Sequence, residues 1–242
     1  MAASALVLGF AGCKQDEAGD SDMITVSGTT ASINYTNSGT DTNVRGFKTI
    51  RNTKKAGGTC QMGFDPNVSN LSVQGFVFDE KETTDSDNAT VYAFYLLGVR
   101  YNNGTIQYYL SHFTNVKGSE LTGNATTFGT ETTIWKGSTS AYCDATSSKL
   151  VTDGEYKGYV GVEVDVTQTD GVFTVTLYNS DETQLATESF NANKYDDNLT
   201  EDATKNVQGY VGFYANVKNS YTLNGHWELS NLKESSVGEV AE

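Results

Sequence analysis

Proline is almost missing from this chain: Pro66 is the only one in 242 residues. No proline-rich linker therefore divides the sequence, and a single large β domain can run to this length. Histidine is nearly as scarce, with two residues, and no Cys-x-x-Cys pair occurs, so zinc-holding His/Cys groupings are not expected. Positive charge is also in short supply. Sixteen Lys and Arg stand against 30 Asp and Glu, a formal net charge of −14. A surface of that sign repels phosphate backbones, which removes nucleic acid from the expected partners. The apolar run Ala2 to Gly12 is far too short to cross a bilayer.

What is abundant is the material of strands and turns. There are 24 Gly, 14 Tyr and 11 Phe, with many Thr, Ser and Asn; β-branched and aromatic side chains suit a pleated surface, and Gly and Asn suit tight turns. Ile24 to Val26 and Ala31 to Tyr35 alternate around Gly28. Val73 to Phe78 is apolar enough for a central strand. Val91 to Tyr101, the turn Asn102-Asn103-Gly104 and Thr105 to Phe113 make the clearest hairpin, because Asn-Gly between two apolar runs selects a tight two-residue connection. Val160, Val162, Val164 and Val166 share one strand face and leave Glu163 and Asp165 on the other. Asp170-Gly171 then turns into Val172 to Tyr178, and Gly209 to Val217 and Tyr221 to Leu232 close the pattern. Only Asn198 to Asn206, with Asn198 as N-cap and Glu201 at the capping-box position, reads as a short helix. An all-β antiparallel sandwich with at most one short helix is the expected fold.

Two stretches carry resemblances. Phe10-Ala11-Gly12-Cys13, directly after the apolar run and before the polar KQDEAGDSD, resembles the bacterial lipobox. That resemblance implies cleavage before Cys13 and acylation of that residue, hence export and a membrane tie through lipid, in which each buried methylene contributes about 0.8 kcal/mol. No Lys or Arg separates Met1 from the apolar run, so the leader is expected to begin upstream. The acidic residues after Cys13 are similar to signals that send some lipoproteins to the outer surface of the outer membrane. The valine strand, the turn, FTVTLY and GYVGFYA, spanning Tyr156 to Leu232, resemble the C-terminal half of concanavalin-like lectin and glucanase jelly rolls and of laminin-G-type domains. This implies two stacked sheets, a last strand that returns to pair near the N-terminus, and a face suited to extended sugars. The expected organisation is a signal remnant (1–12), a lipidated acidic tether (13–22), one β-sandwich (23–234) and a C-terminal tail (235–242).

Candidate chemistry is sparse. Glu163-Val164-Asp165 is similar to the E-x-D of laminarinase-type glycosidases. The second glutamate needed to protonate the leaving group is absent, its places being taken by Thr167 and Gln168, so catalysis of that type is not expected. With Cys13 lipidated, Cys60 and Cys143 are expected to form one disulfide in an oxidising compartment, the alternative being two separate thiols. The bridge would close a loop of roughly 80 residues, worth about 4–5 kcal/mol. Asp85, Asp87 and Asn88, and Asp196, Asp197 and Asn198, place oxygen ligands in loops where a structural Ca²⁺ could sit, but acidic turns are usually just solvated turns and no metal is expected. His112 and His226 fall in strands and lack the spaced partners of a metal or nucleophile site. Trp135 and Tyr142, flanked by turn-like polar residues, are the ligand-binding candidates, as platforms for sugar rings. The function expected is a surface lipoprotein with a non-catalytic sandwich that binds glycans or an extracellular partner. A polysaccharide hydrolase or lyase and a purely structural envelope protein are the rivals.

Overall fold

A computed structural model describes residues 23–50, 55–69, 71–135, 142–169, 171–192 and 209–233. The described strands are β1 (Ile24–Ser27), β2 (Thr30–Thr36), β3 (Asn43–Thr49), β4 (Gly57–Phe64), β5 (Val73–Thr84), β6 (Thr90–Asn102) and β7 (Thr105–Lys117). A four-residue helix, α1 (Gly118–Leu121), follows. Then come β8 (Thr130–Trp135), β9 (Cys143–Ala145), β10 (Val160–Thr169), β11 (Val172–Asn179), β12 (Gln184–Asn191), β13 (Tyr210–Lys218) and β14 (Thr222–Lys233). They form two antiparallel sheets. Sheet A runs β1-β2-β14-β4-β10-β11-β12, and sheet B runs β3-β13-β5-β6-β7-β8 with β9 added beside β7. The last strand returns to pair with β2, Gly225 opposite Ile33. The chain is an antiparallel β-sandwich of jelly-roll type, as expected.

Local chemistry sets the register. Asn103 and Gly104 have positive φ of 49° and 84°, and Asn102 faces Thr105, so the hairpin closes on two left-handed residues that match strand twist. Alternation in β10 sends Val160, Val162, Val164 and Val166 into the core, each at most 2% exposed. Facing them from sheet B are Phe76, Phe78, Tyr95, Leu97, Phe213 and Val217. Two directional bonds cross the interior between the sheets. Gln74 on β5 donates through Nε2 to the carbonyl of His226 at 3.1 Å, and the Trp227 indole donates to the carbonyl of Gly75 at 3.2 Å. Gly225 makes room for the Gln74 carboxamide, which a Cβ there would overlap.

Two expectations need correction. Cys60 and Cys143 are both buried and unbridged. Cys60 sits in the middle of sheet A, between Val164 and Leu229, whereas Cys143 lies on β9 at the edge of sheet B. Sandwich sheets stand about 10 Å apart, and a disulfide needs Cα atoms within roughly 7 Å. The described helix is α1, in a segment where the sequence pattern predicts none; the helix expected over 198–206 lies outside the described residues. Residues 1–22, with Cys13, lie outside them too.

Candidate functional site

The two outer faces of the sandwich are built differently. On sheet A the outward residues of β10 and its neighbours are short and polar. Glu163 accepts from Gln61 Nε2 at 2.9 Å and Asp165 from Thr59 Oγ1 at 3.1 Å. Thr174 pairs with Ser189 and Thr176 with Thr187 across β11 and β12. The E-x-D residues are thus knitted into a hydroxyl- and amide-rich surface. The exception on this face is His226, only 8% exposed, which lies over Gly63 in a parallel stack with Tyr156. Burial lowers its pKa from 6.5 to about 4, so it is neutral at ordinary pH, and its Nδ1 has no hydrogen-bond partner. His112 is buried as well, stacked on Tyr95 in the interior. Both histidines are thus buried residues of their strands.

On sheet B the outer face carries a second apolar cluster: Phe47, Val77, Phe94, Leu96, Phe113 and Tyr214 are all buried. The segment after α1 covers part of it. Phe128 packs on Phe94, Phe113 and Tyr214. Arg45 lies 4.7 Å over the Phe128 ring and donates through Nη1 to the carbonyls of Ala125 and Thr127. Glu120 holds the segment from within, accepting from Thr127 Oγ1, Lys117 N and Gly129 N. Partial burial would raise its pKa, but these hydrogen bonds outweigh it and hold the carboxyl below its ordinary value.

At the corner of sheet B beside the Asn103-Gly104 turn, the face changes character. Arg100 (β6), Gln107 (β7) and Asp144 (β9) stand in cross-strand register. Arg100 Nε donates to Gln107 Oε1 at 2.6 Å, and Gln107 Nε2 donates to Asp144 Oδ1 at 2.8 Å. The Arg100 guanidinium lies 3.8 Å over the ring of Tyr142, which meets Tyr109 edge to face with 5.1 Å between ring centroids. Tyr109 in turn lies over its cross-strand partner Gly98, where any Cβ would overlap the ring. Burial pushes the Tyr109, Tyr142 and Tyr214 phenols up, Tyr214 to about 12, so all three stay neutral. Arg100 and Gln107 are half-buried and Asp144 is exposed. The result is a fixed row of planar polar groups on an aromatic footing, open at its rim.

Of the residues singled out from sequence, Tyr142 belongs to this corner. Trp135 lies nearby at the end of β8 but packs against Tyr108, 4.8 Å between ring centroids, on the inner side. Asp85 and Asp87 occupy the β5–β6 turn, where Asp85 Oδ1 accepts from the backbone N–H groups of Asp87 and Ala89 and Asn88 takes a positive φ of 58°. The carboxylate thus caps its own turn. Asp196, Asp197 and Asn198 lie outside the described residues. Among the described residues no three His, Cys, Asp or Glu side chains gather as a metal site. Arg100, Gln107 and Asp144 escape sequence analysis because Asp144 joins sheet B only through the three-residue β9. The available signal was the alternation of β6 and β7, which puts Arg100 and Gln107 opposite each other once the Asn-Gly turn is fixed.

No family model and no curated protein matches the chain by sequence. Solved structures match in shape at low identity. The CBM2 module of the evolved Dit of Lactobacillus casei BL23 phage J-1 is 10% identical over 82% of this chain, with a TM-score of 0.36; the chain spans 66% of that protein's length. The legume lectin-like domain from Entamoeba histolytica is 8% identical over 89% of this chain and 87% of its own, with a TM-score of 0.39. The β-porphyranase from the human gut bacterium Bacteroides plebeius is 8% identical over 87% of this chain and 80% of its own, with a TM-score of 0.37.

Proposed function

We propose that this chain is a non-catalytic glycan-binding sandwich, with its ligand on the outer face of sheet B at the Arg100–Tyr142 corner. The reading includes presentation on the outer surface of the outer membrane by a lipid on Cys13. The observation that carries it is the fixed row Arg100–Gln107–Asp144. Sugars are recognised by planar groups that donate to and accept from neighbouring hydroxyls at once, and here such groups are held in place before any ligand arrives, which lowers the ordering cost of binding. The usual glycoside hydrolase needs two carboxyls flanking one bond; Glu163 and Asp165 instead bond to Gln61 and Thr59 on the opposite face of the molecule.

A glycan array probed with the full chain carrying Cys13→Ser tests the binding. At least one class of oligosaccharide should give signal, and Asp144→Ala should reduce it; silence across plant, host and microbial sugars would overturn the assignment. Metabolic labelling with a clickable fatty acid tests the anchor. Label should enter the wild-type chain in a bacterial host and be lost in Cys13→Ala.

A further inference from the structure

The chain has three arginines, Arg45, Arg51 and Arg100, and two of them stand on the outer face of sheet B. They are used differently. Arg45 is tied into the covering segment by two carbonyls and an aromatic face. Arg100 spends only Nε, on Gln107, and one guanidinium face, on Tyr142. Among the described residues its two terminal nitrogens meet no acceptor and it forms no ion pair, although carboxylates outnumber basic groups nearly two to one. Those nitrogens are also not among the side-chain atoms closed off from solvent without a partner.

A guanidinium clamped at Nε and on one face presents its remaining N–H groups as a rigid fork. That geometry matches an oxyanion bidentately, which a lysine cannot reproduce. The charge background makes the match selective. A chain with net charge −14 repels polyanions at long range, so an acidic ligand must be held by a local site rather than by the general field.

We propose that the corner takes an acidic saccharide, its carboxylate or sulfate ester in the fork of Arg100 and its adjacent hydroxyls on Gln107 and Asp144. This assignment rests on the glycan-binding reading of the same corner.

Calorimetry on the full chain carrying Cys13→Ser tests it, with oligogalacturonates against their methyl esters, and sulfated against desulfated galactan oligosaccharides. The arms distinguish a carboxylate from a sulfate. One acidic member should bind at least about tenfold more tightly than its neutral partner, a gap of about 1.4 kcal/mol. Arg100→Gln should remove that preference, and Arg100→Lys should recover little of it, because the charge returns without the fork. Equal affinity for the acidic and neutral partners, or a preference that survives in Arg100→Gln, overturns the acidic assignment. Binding of a neutral sugar that falls in Asp144→Ala but not in Arg100→Gln overturns it while leaving the glycan reading intact. No binding by any member, together with a silent array, overturns both. Unchanged circular dichroism and melting temperature in Arg100→Gln separate loss of contact from loss of fold.

Discussion

The outer faces of sheets A and B come from the same chain and the same alternation rule, yet they end in opposite states. Sheet A presents Thr, Ser, Gln and Glu that satisfy one another across strands and remain near solvent. Sheet B presents Phe and Tyr that require cover, receive it from the segment after α1, and give way at one corner to Arg100, Gln107 and Asp144. In a two-layer sandwich each sheet needs only one apolar face. A second apolar face is therefore a commitment to something laid over it. On sheet B that something is part protein and, at the open corner, the proposed ligand.

If the difference is one of real burial, substitutions matched across the two faces must diverge. The largest effect is expected for Phe94→Ala, which empties a fully buried position under Phe128; it should cost about 3–5 kcal/mol in urea unfolding. A loss below about 1 kcal/mol would show that the covering segment does not seal the face. Gly98→Ala comes next. The new methyl overlaps the Tyr109 ring, and about 1–3 kcal/mol of overpacking should follow. Combining it with Tyr109→Ala should return less than the sum of the two single losses, since the clash disappears with the ring.

His226 tests the buried exception on sheet A. Its folded pKa, about 4, lies below the unfolded 6.5, so the unfolded chain takes up the proton first. Its contribution is present in full above pH 6.5 and is lost as pH falls towards 4. Allowing for screening by the solvent near this surface strand, about 1–2 kcal/mol should vanish across that window. His226→Phe should flatten stability between pH 6.5 and 4, as read from melting temperatures; an unaltered slope would place the titration elsewhere. The smallest effect belongs to Thr176→Ala on the open face of sheet A, expected within about 0.5 kcal/mol of wild type.

Much of the sandwich was legible because period-two alternation and Asn-Gly turns are local signals. The β6–β7 hairpin and the four valines of β10 fell where the residues predicted. The corner was legible only in Tyr142. Gln107 and Asp144 are 37 residues apart, and their pairing depends on which edge β9 chooses, a tertiary decision that no local pattern encodes. The cysteine pair misled for a related reason: an even count says nothing about which sheet each residue occupies. Trp135 has polar flanks along the chain, whereas its spatial neighbour is Tyr108 from the adjoining strand, a contact that no local pattern encodes.

The two bonds that cross the interior, Gln74 to the His226 carbonyl and Trp227 to the Gly75 carbonyl, have a mechanical consequence. Apolar side chains alone resist separation of two sheets far better than they resist sliding, because dispersion has little direction. A pair of donors aimed at fixed carbonyls, running in opposite senses between β5 and β14, pins that sliding coordinate. Gly75 lies opposite Gly98, two residues from Arg100 along β6. The placement of the guanidinium is thereby referenced to sheet A through the core, and a load applied to the ligand corner is shared by both layers rather than shearing one over the other.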